Sequence, residues 1–260
     1  MEIWEAIVLG ITQGLTEFLP VSSSGHLLLV RNMMDLAEVP LFFDVMLHLG
    51  TLIAVVVVLF KEIIGLFAHP VKNRLLVLII ASVPAGLVGL FCNDLVEGAY
   101  SGAALGICFL ITAGILVLSE YLSSRHAKKR GINLKSGLAM GLMQTAALFP
   151  GISRSGSTIA GGLFVGTDRS KAASFAFLMS IPMILGSVIV EGKDVMEVGM
   201  GDVSTAALIA GTAAAAVSGF FAVKWMLNLI RKRRLFGFAI YVAAVGIFVL
   251  IDQSASHLIF

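Results

Sequence analysis

TEFLPVSSSGH, residues 16–26, and AALFPGISRSGST, residues 146–158, decide how this chain is read. Each leaves an apolar stretch, passes through a proline and enters serines and glycine. Each also holds one residue that hydrocarbon tolerates badly, Glu17 in the first and Arg154 in the second. The surroundings are hydrocarbon-like. Of 260 residues, 58% are hydrophobic and 13% charged, where a soluble domain carries about 25% charged residues, and the mean hydropathy is +0.99. That composition excludes a soluble enzyme and makes the chain an integral membrane protein. Residues 41–60 hold only Asp44 and His48, and residues 75–92 and 102–119 hold no charge. Each run is near the ~20 residues that span a bilayer as helix. No alternating β-barrel pattern is present, so the spans are read as helical.

No basic leader precedes the first apolar stretch, so a cleaved signal peptide is not expected. Cys92 and Cys108 match no metal or redox spacing and are read as small buried side chains.

Orientation follows from which connections hold lysine and arginine. Lys61–Arg74, Arg125–Lys135 and Arg231–Arg234 are basic and expected in the cytoplasm. Asn93–Ser101 carries Asp94 and Glu97, and Glu191–Asp202 carries four acids against Lys193, so both are expected outside. Threading between these markers gives six spans, at residues 41–60, 75–92, 102–122, 170–190, 204–230 and 235–252. Residues 136–168 must then leave and return on the cytoplasmic side, and residues 1–40 on the outer side. Both are expected to be re-entrant hairpins, with pairs of full crossings as the competing assignment.

The halves read alike. Gly10-x-x-Gln13, Phe18-Leu19-Pro20 and Ser22-x-Ser24-Gly25 match Gly141-x-x-Gln144, Leu148-Phe149-Pro150 and Ser153-x-Ser155-Gly156. A unit with three crossings that is duplicated inserts its second copy upside down, so the expected architecture is an all-α membrane protein with six transmembrane helices and two re-entrant helical hairpins in an inverted repeat. It forms a single polytopic domain over residues 1–260, with halves of about 1–130 and 131–260. Interrupted helices at matching places point to a site where the two tips meet.

Serine and glycine alone are ordinary packing residues between membrane helices. Glu17 and Arg154 shift the reading toward function, with a structural ion pair between the hairpins as the alternative. Pro20 and Pro150 are expected to end one helix each, and the serines after them to start the next. Free N–H groups at a helix start form an anion site. Arg154 adds a planar fork suited to phosphate, and Ser153, Ser155, Ser157 and Thr158 add hydroxyls. Glu17 can hold a divalent metal or accept a proton, and His26 can act as acid, base or nucleophile. This set suits phosphoryl transfer.

Gln13-x-x-x-Glu17, Pro20-Val21-Ser22-Ser23-Ser24-Gly25-His26 and Pro150-Gly151-Ile152-Ser153-Arg154-Ser155-Gly156-Ser157-Thr158 together resemble the undecaprenyl-diphosphate phosphatase, or bacitracin-resistance, family across essentially the whole chain. The resemblance implies hydrolysis of undecaprenyl diphosphate to undecaprenyl phosphate and inorganic phosphate, recycling the lipid carrier of cell-wall synthesis. It implies the bacterial cytoplasmic membrane, a site opening to the outer face, and a divalent metal, Mg²⁺ or Ca²⁺. Carried over by motif, Glu17, Ser23, His26 and Arg154 are the catalytic candidates. Ser22, Ser24, Gly25, Ser153, Ser155, Gly156 and Thr158 are the substrate-binding candidates, and Glu17 with Gln13 the metal candidates. The family often has a second glutamate at the Gln13 position. An amide cannot be a base, so Glu17 carries the charge-dependent role alone. Whether Ser23, His26 or water attacks phosphorus is open at this level.

The expected partners are a polyprenyl diphosphate and membrane lipids, with no nucleic acid, and a homodimer is left open. The rival function is a polyprenyl-phosphate or anion transporter using the same cavity. Asp44 and His48 share a helix face and either line the site or form an interhelical pair. Met140, Met143, Met179 and Met183 are read as packing or as lining for a lipid tail.

Overall fold

The computed structural model describes residues 1–36, 39–68, 74–91, 102–126, 130–198, 203–232 and 234–256. Eleven α-helices run through them: α1 (Ile3–Phe18), α2 (Ser23–Met33), α3 (Leu41–Val58), α4 (Phe60–Ala68), α5 (Arg74–Phe91), α6 (Leu105–Arg125), α7 (Leu134–Ala146), α8 (Arg154–Phe164), α9 (Arg169–Val198), α10 (Thr205–Lys232) and α11 (Phe236–Ile251). A short π-helical turn, Asp252–Ser256, follows. Six are long and apolar enough to cross a membrane: Leu41–Val58, Arg74–Phe91, Leu105–Arg125, Arg169–Val190, Thr205–Lys232 and Phe236–Ala255. These are the six spans expected from the sequence.

Two helix pairs remain, and local chemistry starts and stops them. Glu2 and Glu5 form a capping box at the start of α1. At its end Leu19 is extended, as the residue before a proline must be. Asn133 and Ser136 form the matching box at the start of α7. Pro150 does not end α7 directly. The helix stops at Ala146, and Pro150 lies within the turn that follows. Ser22 and Ser153 are the N-caps of α2 and α8.

Glycines set the packing of these pairs. A Cβ on Gly10 would lie 2.3 Å from the Gly211 carbonyl oxygen, and one on Gly141 would lie 2.3 Å from that of Ala81. Gly14 meets Ala215 to Gly219 in the same way, so α1 runs alongside the first half of α10 in the same direction and ends near its middle. Gly137 meets Val77, which lays α7 alongside α5, again in the same direction. The pairs close on themselves. Met1, Val30 and Leu36 pack, with Val39, Val203 and Leu208, against one buried cluster that joins Ala6 and Leu9 of α1 to Leu27 of α2, and Arg130 before α7 exchanges backbone hydrogen bonds with Gly166 and Asp168 after α8, at 3.0 and 2.9 Å. At 11 residues each, α2 and α8 are about 16 Å long, half of the ~30 Å hydrocarbon layer.

The core lies where the pairs meet the spans. Phe18 stands edge-on to Phe177 with centroids 5.6 Å apart, and Met140, Met179, Phe109 and Val223 are fully buried around them. Met140 and Met179 are therefore packing residues, while Met143 and Met183 are partly buried. At one end, Glu120 of α6 receives two hydrogen bonds of 2.7 Å from Arg169 of α9 and one of 2.8 Å from the Leu235 N–H. The Arg169 Nε also donates to the Ile230 carbonyl at 3.2 Å. A nearly buried ion pair thus ties four helices together.

Two further expectations need correction. The basic connection from Lys61 contains a helix, α4, because Phe60, Ile63, Ile64 and Phe67 recur at helical spacing. Helix α9 continues to Val198, into the stretch expected to be a loop. Of the two readings for Asp44 and His48, Asp44 takes the interhelical one, forming an ion pair with Arg31 of α2, while the His48 Nδ1–H donates to the Asp44 carbonyl of its own helix at 2.9 Å. Cys92, the acidic loop at 93–101 and residues 199–202 of the second acidic connection lie outside the described residues. Cys108 is unpaired and lies against the turn at Gly151.

Candidate active site

The two quoted stretches meet. Ser155 of α8 donates to the Leu19 carbonyl at 2.8 Å, and the Gly151 N–H donates to Ser22 Oγ at 3.2 Å. Thr112 of α6 secures the second turn with one hydroxyl, donating to the Gly151 carbonyl at 2.9 Å and accepting the Ser153 N–H at 3.0 Å. Both turns need backbone outside the ordinary L-residue range: φ is 71° at Ser22 and 90° at Gly151. At Gly151 a side chain would also strike Cys108, whose Cβ lies 2.5 Å from the ideal Cβ position.

Glu17 is the hub. Its carboxylate ends α1 with a side chain 1% exposed. One oxygen is paired with the Arg154 guanidinium. The other accepts from Ser23 Oγ at 2.5 Å and from Gln13 Nε2 at 3.1 Å. In the aligned repeat Ser23 and Arg154 are counterparts, each the first residue of its helix. The fold thus brings the first turn of α2 and the first turn of α8 onto one carboxylate. The Gln13 amide turns its nitrogen to Glu17, which leaves Oε1 buried without a partner.

His26 is held at both nitrogens. Nδ1 lies 2.7 Å from the Ser22 carbonyl, which only accepts, so Nδ1 carries the proton. In the neutral ring Nε2 then accepts from the Tyr241 hydroxyl at 2.9 Å. The ring stacks on Tyr241 and stands edge-on to Phe109, with centroids 5.6 and 5.3 Å away. Both nitrogens are thus engaged by partners other than Glu17 and Ser23, which leaves no free lone pair for His26 to act as a nucleophile in this arrangement.

The remaining candidates divide by exposure. Ser23, Ser24 and Arg154 are only partly buried and open the site. Ser153 caps α8 by accepting the Gly156 N–H at 3.1 Å, and Ser155 holds Leu19. Thr158 donates to the Arg154 and Ser155 carbonyls of its own helix and is fully buried. Gly25 is packed on Phe109, and Gly156 on Pro20. Ser153, Ser155, Thr158, Gly25 and Gly156 therefore build the two tips, and Ser22 sets the first turn. Three contributors escape sequence reasoning: Tyr241, Phe109 and Thr112 lie on plain apolar spans, and Tyr241 is 215 residues from His26.

Among the described residues no group of three or more His, Cys, Asp or Glu could hold a metal ion. The donors that exist are the Glu17 carboxylate and the unpartnered Gln13 Oε1. That set fits a hard divalent cation held by one carboxylate, an amide oxygen and substrate phosphate, and does not fit a closed protein cage.

Comparison with known proteins follows this geometry. The family described as bacitracin resistance protein BacA matches residues 6–248. This chain belongs to that family. An undecaprenyl-diphosphatase of Methanobrevibacter smithii is 42% identical over 99% of this chain and all of its own length. An undecaprenyl-diphosphatase 4 of Bacillus cereus is 42% identical over 96% of both chains. An undecaprenyl-diphosphatase of Bacteroides fragilis is 42% identical over 95% of this chain and 97% of its own. The BacA family signature thus spans both quoted stretches and the helices that pack them together.

Proposed function

We propose that this protein hydrolyses undecaprenyl diphosphate to undecaprenyl phosphate and inorganic phosphate, with Ser23 as nucleophile and Glu17 as its base. The observation that carries the reading is the Ser23 Oγ donating to a buried carboxylate at 2.5 Å while an arginine from the other half reaches the same carboxylate. The terminal phosphate enters between Ser23, Ser24 and Arg154, where the guanidinium and the first turn of α8 meet its oxygens. Ser23 Oγ bonds to the terminal phosphorus as its proton passes to Glu17, and the bond from that phosphorus to the bridging oxygen breaks. Polyprenyl monophosphate leaves with the bridging oxygen and takes up the proton from Glu17. Glu17, ionised again, takes a proton from the water that attacks the phosphoserine and returns it to Ser23 as phosphate departs. A divalent cation, Mg²⁺ or Ca²⁺, would be held by the Glu17 carboxylate and Gln13 Oε1 together with substrate phosphate, and would supply charge neutralisation there.

The membrane placement is part of the same proposal. α1–α2 and α7–α8 are re-entrant hairpins, supported by their short second helices, by the end of α1 near the middle of α10 and by the return of residue 166 to residue 130. The inverted repeat is supported by exchanged packing, in which α1 of the first half lies on α10 of the second and α7 of the second lies on α5 of the first. Basic ends at Arg231, Lys232 and Arg234 support a cytoplasmic location for the α10–α11 turn, in the cytoplasmic membrane with the site opening outward. Purified protein given polyprenyl diphosphate should release phosphate, less so with a chelator and not at all as Glu17→Gln. Absence of release under every metal condition, with lipid transport retained, would establish the carrier reading instead.

A further inference from the structure

The end of the bundle where α9 begins and α10 ends carries charge that hydrolysis does not use. Arg231, Lys232 and Arg234 are exposed around a polar cup of about 260 Å³ that also includes Glu120, Ser123, Ser124 and Arg169. Glu120 is neutralised by its two hydrogen bonds from Arg169, so it offers nothing to the three surrounding cations. None of the three forms an ion pair among the described residues. Directly beside the cup, α6 and α11 leave an apolar groove of about 580 Å³, whose lining includes Ala113, Val117, Tyr121, Phe236 and Ala243. The two spaces share a boundary: Tyr121 follows Glu120, and Phe236 follows Leu235, whose N–H donates to Glu120 at 2.8 Å.

An apolar channel ending in three cations has the chemistry of one amphiphile. We propose that this groove and cup bind an anionic phospholipid, with an acyl chain along α6 and α11 and the headgroup phosphate at Arg231, Lys232 and Arg234. The polarity distinguishes it from substrate. Thr112, one residue from the Ala113 end of the groove, holds the Gly151 turn of the tips, so a lipid whose diphosphate sits at the tips presents no anion to the cup. From Ala113 to Glu120 the helix rises about 10 Å, which sets the Thr112 support of the tips about two turns away from the cup. The positive cluster matches anionic lipid of the leaflet that borders it.

The test uses the full-length protein in phosphatidylglycerol or phosphatidylcholine nanodiscs, followed by native mass spectrometry and thermal melting after gentle delipidation. Wild type should keep one phosphatidylglycerol per chain, lose phosphatidylcholine, and melt higher with the former. Arg231→Gln, Lys232→Gln and Arg234→Gln should each weaken retention by about fivefold. Val117→Trp fills the groove without touching a charge and should expel the lipid with phosphatase activity per folded protein unchanged. Equal retention of both lipids, or charge variants that bind as wild type, would overturn the proposal. So would protection of the cup by millimolar inorganic phosphate alone, which marks a simple anion site. A Val117→Trp protein that keeps phosphatidylglycerol but shows a raised KM for polyprenyl diphosphate would assign the groove to the substrate tail. Lipid retention is read without turnover, so its failure is separable from failure of the hydrolase reading.

Discussion

Arg154, the first residue of α8, pairs with Glu17, the next-to-last residue of α1, across the meeting point of the two tips. The contact joins a partly buried guanidinium to a carboxylate with almost no solvent access. An ion pair in this setting is compatible both with a structural clasp and with a resting catalytic site whose arginine turns to phosphate. The two roles differ in what removal of both charges does. A buried pair often exchanges for neutral groups at little cost, while an orphaned charge is expensive.

A double-mutant cycle separates them. Arg154→Met alone leaves Glu17 unpaired and should lower stability by about 3–5 kcal/mol. Combining Glu17→Gln with Arg154→Met should restore the melting temperature and leave phosphate release at least ~10²-fold below wild type. Recovery of activity together with stability would reduce the pair to a clasp.

Ser23→Ala removes the nucleophile while Glu17 keeps Arg154 and Gln13 as partners. Turnover should fall by at least ~10³-fold with stability nearly unchanged. Rapid quenching of wild type should trap phosphate covalently on the chain, and the variant should trap none. A Ser23→Ala protein with wild-type turnover would hand the attack to water.

Tyr241→Phe preserves the stacked ring and deletes only the hydroxyl that donates to His26 Nε2. Losing that bond leaves a buried acceptor unsatisfied, worth about 1–3 kcal/mol. A lower melting temperature is expected, with kcat and KM close to wild type, because His26 takes no step in the proposed reaction. Nitrogen NMR of His26 should show the Nδ1–H tautomer in wild type and a mixed population in the variant. An unaltered tautomer would remove Tyr241 from the positioning of His26.

Much of this was legible in the chain because membrane constraints are severe. Apolar runs threaded between basic and acidic connections marked six spans, and Pro20 with Ser22 marked the break between α1 and α2, since a proline and a serine cap act locally. Glu17 and Arg154 were visible as charges without a cheap place to go. Other features were hidden because they arise only from packing. Nothing in the sequence around Tyr241 or Thr112 shows that α11 and α6 present hydroxyls to the tips. The hydroxyls of Ser153 and Thr158 read as phosphate donors, yet in the fold they bond backbone of the same turn. Short side-chain hydroxyls at helix starts serve capping as readily as recognition.

At the start of α9, Asp168 receives the Ser170 N–H, the Ser170 hydroxyl and the Lys171 N–H at 3.1, 3.0 and 3.2 Å. Burial pushes its carboxyl up, but the hydrogen bonds from Lys171 and Ser170 and the Lys171 charge outweigh it and hold the group below the usual range. The folded value is the lower one, so its contribution is present above the unfolded value of about 3.9 and is lost as pH falls below it. Asp168→Asn keeps a capping oxygen and loses only the charge, so it should cost about 0.3–1 kcal/mol near neutral pH. Melting curves of the two proteins should converge as pH drops through 4; a gap that persists at pH 3 would assign the effect to packing.

The close approaches at Gly10 and Gly141 offer the sharpest test that the halves are one unit used twice. Each presents its missing Cβ to a backbone carbonyl at the same 2.3 Å, on helices that belong to opposite halves. Backbone cannot move aside as a side chain can, so Gly10→Ala and Gly141→Ala should each cost about 1–3 kcal/mol by forcing helices apart. Because α1 and α7 carry Glu17 and the turn before Arg154, the same displacement should pull the tips out of register and lower phosphate release in both variants. Gly86→Ala supplies the control. It lies inside α5 with nothing within 4 Å of its Cβ position, and alanine there should be neutral or stabilising by up to ~1 kcal/mol. If Gly141→Ala behaves like Gly86→Ala while Gly10→Ala is damaged, the two hairpins are not held in the same way and the duplicated-unit architecture loses its support.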